Sequence, residues 1–127
     1  MNGKQRTIRC YVSPAENNKI ADWHADLSVQ ERADADAFMA IVRVKLKWEL
    51  PEYRAKLTGY KGLGELRWVS CNKQHRLIGF FMGGIWYAVM GCTHKQQIYS
   101  PADALKTADK RKKDIEQGRV KTVLYDL

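Results

Sequence analysis

Residues 64–91 read GELRWVSCNKQHRLIGFFMGGIWYAVMG, and this stretch decides the fold. Gly83-Gly84 divides its apolar half in two. A two-residue hairpin turn demands positive φ, and glycine meets that demand without strain. The pattern predicts strands over about 64–69, 75–82 and 85–91, the first two joined by a looser hairpin from Ser70 to about Gln74 that contains Asn72. Residues 77–90 are nearly all apolar, which places the second and third strands centrally, with both faces mostly covered. Arg67 and Arg76 stand out against this background. Each either lies on the solvated face of a half-buried sheet or lines an anion site. An even number of connecting residues sets the two opposite one another, and like charges so placed destabilise a sheet unless an anion bridges them. Guanidinium forks suit phosphate oxygens, so a phosphate subsite is the sharper reading.

Upstream, Thr7–Val12 (TIRCYV) alternates and predicts a first strand. Ser13-Pro14 reads as a cap and first helical position, opening a helix to about Asp26. Ser28 with Glu31 is a capping-box pair, and the helix it opens is expected to run to about Leu50, before Pro51. Its apolar stripe is read as Ala33, Ala37, Ala40/Ile41, Val44 and Trp48. Residues 58–64, TGYKGLG, lack the Lys-Ser/Thr of a P-loop and lead into a strand; they form a connector that can present Lys56 and Lys61. Downstream, Ser100-Pro101 with Asp103 opens a last helix to about Gln117, closed by Gly118. Residues 118–127 form a tail, either a short edge strand or irregular. The order is β-α-α-β-β-β-α: an α+β fold with a small antiparallel sheet and helices on one side, in a single domain over 1–127.

The chain has 127 residues, 45% hydrophobic and 28% charged, ordinary values for a globular domain. No apolar run nears the roughly 20 residues that span a bilayer. MNGKQRTIRC lacks the apolar core of a secretory signal. Cys10, Cys71 and Cys92 are odd in number and unclustered, which argues against a disulfide framework and suits a reducing cytoplasm. His24, His75 and His94 have no ligand-like spacing, so neither metal nor cofactor is expected. The net charge of +8 is concentrated: residues 43–76 carry nine Lys/Arg against three Asp/Glu. Such a surface suits a polyanion, with Lys56, Lys61, Lys73 and the run Lys110, Arg111, Lys112, Lys113 as candidate RNA contacts. Chemistry concentrates in Arg67, Arg76 and the segment CTHKQQIY (92–99), where His94, Lys95 and Tyr99 follow the last core strand.

LTGYKGLGELRW, HRLIGFF and GGIWYAVMGCTHKQQIYSPADALKTADKR together resemble the HigB-like, phage-associated branch of the RelE superfamily of toxin–antitoxin ribonucleases. The match rests on L-x-G then E-L-R, an arginine opening the next strand, a basic pair after the last strand, and a Pro-led helix ending in A-x-x-R. It covers about residues 38–117 and departs from the pattern at Cys92, where the family often has an aromatic. The resemblance implies a RelE-like fold and metal-independent endoribonuclease activity on mRNA in the ribosomal A site. It also implies neutralisation by a small antitoxin, a helix-turn-helix protein. Arg67 and Arg76 would grip the scissile phosphate, His94-Lys95 is the basic pair, and Tyr99 is the aromatic near the helix start. The alternative is a non-catalytic basic RNA- or partner-binding module of the same fold, carried by a phage.

Overall fold

A computed structural model describes residues 6–127, so the N-terminal residues read above for a signal lie in part outside the described residues. The order is β1 (Ile8–Tyr11), α1 (Lys19–Asp26), α2 (Val29–Val44), β2 (Tyr53–Arg54), β3 (Gly64–Ser70), β4 (Lys73–Met82), β5 (Ile85–Lys95), β6 (Ile98–Ser100), α3 (Ala104–Glu116) and β7 (Thr122–Leu124). The fold is mixed α+β, with three helices and a seven-stranded sheet among the described residues. The sheet runs β2-β3-β4-β5-β1-β7, with β6 also on β5. It is not purely antiparallel: β1 joins β5 in parallel, because the two-helix connection from β1 leads into the β2–β5 meander and returns β5 alongside it. The tail residues Thr122–Leu124 form an edge strand on β1.

The glycine hairpin is as expected, with Gly83 and Gly84 at φ +60° and +79°. The 70–74 connection is tighter than expected: Cys71 and Asn72, both at positive φ, form a two-residue turn. Strand β5 runs on through Cys92–Lys95. Gln96-Gln97, again at positive φ, turn the chain back into β6, so the segment read as a connection is a second hairpin. Ser100 therefore lies in a strand, and α3 starts only after Asp103, which makes no side-chain cap bond.

Two helix boundaries also shift for local reasons. Ser13 Oγ accepts from the Asn17 amide in a turn around Pro14, and α1 begins after Asn18, whose Oδ1 accepts from the amides of Ile20 and Ala21. The capping box of Ser28 and Glu31 forms. Helix α2 stops at Val44, six residues early. Arg6 binds the Lys45 and Leu46 carbonyls and Trp48 Nε1 binds the Val42 carbonyl, so the end of α2 is satisfied without further helix. The helix also buries a different stripe, Ala35, Met39 and Val42 with Phe38 alongside. Ile41 and Val44 are exposed. Met39 and Phe38 remove more apolar area from water than the alanines of the expected stripe.

The helices lie on both faces. Leu66, Leu77, Trp86 and Ala88 pack with α1 and α2, whereas Ile78, Phe80 and Val89 pack with Ala104, Ala108 and Ile115 of α3. A sheet apolar on both faces requires cover on both, which overturns the one-sided arrangement. No helix of the described residues is long and apolar enough to cross a membrane.

Candidate functional site

The Cys71-Asn72 turn sets Arg67 opposite Arg76, two cations side by side on the α3 face of the sheet. Alternation adds Glu65 on β3, and the β4–β5 and β5–β6 registers add Cys92, His94 and Tyr99. Glu65 is the group that holds them. Its Oε2 lies 3.5 Å from Arg67 Nε and 3.4 Å from Arg76 Nε, and its Oε1 accepts from the Tyr99 hydroxyl at 2.6 Å. Both Glu65 (2% exposed) and Arg76 (3%) are buried, so Arg76 is not the surface cation that a solvated strand face would hold. Its Nη1 donates to the His75 carbonyl at 3.0 Å and its Nη2 to Gln74 Oε1 at 2.9 Å. The Nε makes only an off-angle charge contact to Glu65. Burial, then Glu65, pushes the Tyr99 phenol well above its ordinary pKa. A carboxylate supplied by the protein itself is the anion between the arginines.

Above this buried floor the surface opens. Arg54, Arg67 and His94 border a hollow of about 190 Å³, with Glu65 and Tyr99 at its base. Arg67 also lines a second hollow of about 290 Å³ with Gln74 and Arg76. Gln74 and His94 line a third, of about 500 Å³, with Lys73 and Lys95. The first two hollows share Arg67, and the third shares His94 with the first and Gln74 with the second, so the three adjoin. Burial first, then the Arg76 charge, lowers the His94 pKa from 6.5, so its imidazole is neutral at neutral pH. The ring sits edge-on to Tyr99 at 4.7 Å. The arrangement can bind an anion at Arg54 and Arg67 and offer it a neutral base.

The remaining candidates divide. Lys95 and Lys73 alternate onto the α1/α2 face, away from the arginine pair, and Lys73 lies 3.4 Å from Glu31. The basic pair is thus split, only His94 joining the cluster. Lys56 and Lys61 are exposed on the 55–63 connection. The run on α3 is not a free fan of charge. Arg111 points inward, donating to the Val89 carbonyl at 2.8 Å and lying over Tyr11, which removes it from the RNA contacts. Lys112 covers Phe80 and pairs with Glu116, Lys110 pairs with Asp114, and Lys113 with Asp109. These i,i+4 pairs are weak, so the three lysines remain able to exchange partners.

Sequence reading did not single out Glu65 or Arg54. The signal for Glu65 was present: a lone acid two residues from Arg67, on the same face of one strand. Among the described residues no group of three or more His, Cys, Asp or Glu could hold a metal ion. No protein-family model, curated protein or solved structure matches the chain.

Proposed function

We propose that the chain is a HigB-like toxin of the RelE superfamily: a ribosome-dependent, metal-independent endoribonuclease acting on mRNA, held in check by a small helix-turn-helix antitoxin. One observation carries this reading. A cation-rimmed hollow places Arg54 and Arg67 beside a histidine kept neutral, over a buried Glu65–Arg76–Tyr99 base. An RNA phosphate seated against Arg67 brings its 2′-hydroxyl to His94, which takes the proton. O2′ attacks phosphorus, the bond to O5′ breaks, and solvent protonates the departing O5′. Arg67, with Arg54 beside it, stabilises the negative charge that builds on the phosphorane oxygens. Arg76 acts from beneath: it contributes positive potential and fixes Glu65, which positions Arg67 and Tyr99. The mixed α+β architecture is compatible with the reading. The adjoining hollows bordered by Arg54, Arg67 and His94, against which message would lie, support it.

A second reading has its own supporting observation. Glu65 already offsets one of the two arginine charges and leaves a net positive surface, which also suits a non-catalytic basic module that docks RNA or an acidic partner. The test is the purified protein on translating ribosomes with a defined message. Cleavage should leave 2′,3′-cyclic phosphate ends and be lost in His94→Gln and Arg67→Gln. An intact message, with tight ribosome binding by the folded protein, would leave only the binding module.

A further inference from the structure

Gln74 stands where the hollows meet, lining one with Arg67 and another with His94. On β4 it is the direct cross-strand partner of Val69 on β3 and of His94 on β5. Facing residues on a sheet hold their Cβ atoms about 5 Å apart, and diagonal neighbours stay within reach of long side chains. His94 is therefore its neighbour. Arg67, which faces Arg76 two residues further on, is within reach across the diagonal.

The amide of Gln74 is oriented from beneath. Arg76 Nη2 donates to its Oε1 at 2.9 Å. A guanidinium carries donors and no acceptor, so the atom that meets it is the carbonyl oxygen, and the amide nitrogen is turned away. Arg76 is itself held, 3% exposed and with Nη1 on the His75 carbonyl at 3.0 Å. It has too little surface to grip a phosphate. Gln74 is exposed, and among the described residues no acceptor takes the two hydrogens of its Nε2. A charged donor on the amide oxygen polarises the group and makes those hydrogens better donors. Glu65, the acid of the cluster, is 2% exposed and already faces both arginines and Tyr99. What this surface offers is donors, which suits an anionic oxygen.

We propose that Gln74 is a further catalytic residue, whose Nε2 donates to a non-bridging oxygen of the scissile phosphate beside Arg67. The inference rests on the nuclease reading. As O2′ attacks, charge builds on the phosphorane oxygens, and a donor already held in place meets it without reorganisation. His94, on the next strand, takes the 2′-proton.

Two substitutions separate contact from scaffolding. Gln74→Glu keeps an acceptor for Arg76 and removes both donors, whereas Gln74→Leu removes acceptor and donors together. In single-turnover cleavage of a defined message at saturating ribosome, each should lose about a hundredfold in rate. Gln74→Glu should be at least as stable to urea as the parent, and the loss should be equal whichever base flanks the cut. A second measurement needs no cleavage: inorganic phosphate titrated into the full-length, isotope-labelled protein should give a saturable shift of the Gln74 side-chain amide. Cleavage by the parent with under about threefold loss in both variants overturns this inference and leaves the nuclease reading standing. A parent that leaves the message intact removes that reading, and this one with it. A loss seen only in ribosome binding, a loss confined to one flanking base, or a Gln74 amide that phosphate does not move also overturns the inference.

Discussion

Replacing Glu65 by Gln removes one buried charge and leaves shape nearly unchanged, including an acceptor for Tyr99. The carboxylate stands 3.4 Å from Arg76 and 3.5 Å from Arg67, and among the described residues no other acid is paired with either. Arg76, 3% exposed, cannot recover hydration, so its guanidinium is left as an uncompensated buried charge facing a like charge across the ladder. Breaking a buried pair in this way costs about 3–5 kcal/mol. Arg67, with 30% of its side chain exposed, adds little to that figure. For a domain of this size the loss corresponds to a fall in Tm of roughly 10–20 °C. Calorimetry and urea unfolding on both proteins measure it. The double variant Glu65→Met, Arg76→Met removes both charges at once, and should lie well above Glu65→Gln in stability. If Glu65→Gln loses under about 1 kcal/mol, the cluster behaves as a surface ion pair and its role as a buried clamp is wrong.

In the nuclease assay, single-turnover cleavage should fall as pH drops through the His94 pKa, which lies below 6.5, and stay flat through neutrality because the base is then unprotonated. A rate that instead rises with acid would remove His94 from that role. On α3, Lys110→Gln with Lys113→Gln should weaken ribosome binding and flatten its salt dependence, whereas Arg111→Ala should chiefly lower stability, since it frees the Val89 carbonyl; unfolding curves and salt titrations separate the two. Gly91→Ala drives a methyl group into the Trp23 ring, and an overpacking loss of about 1–3 kcal/mol is expected in denaturant melts. Stability should also fall as the pH drops from about 4.5 towards 2. The Ser28 backbone and hydroxyl bonds, helped by Lys73, hold Glu31 at a pKa of about 2 in the folded state, and an acid titration of Ser28→Ala should show this dependence reduced.

Features that depend on a few neighbouring residues were legible in the sequence. The Gly83-Gly84 hairpin and the Ser28–Glu31 capping box are each complete within four residues, so their chemistry acts before any tertiary contact forms. The pairing of Arg67 with Arg76 followed from the parity of a short turn. Periodicity failed wherever the outcome depended on distant groups. Met39 and Phe38, facing Trp68 and the sheet, rotated α2 away from its alanine stripe, and Arg6, more than thirty residues away, ended it early. The sequence could show that Arg76 was a cation in a strand, but its burial among Glu65, Cys92 and Tyr99 is decided only where β3, β5 and β6 meet β4. The same meeting of strands made Glu65 the partner of both arginines. Local bonding selects turns and caps, but which face is covered, and by what, is decided only when elements far apart in the chain compete to remove apolar surface from water.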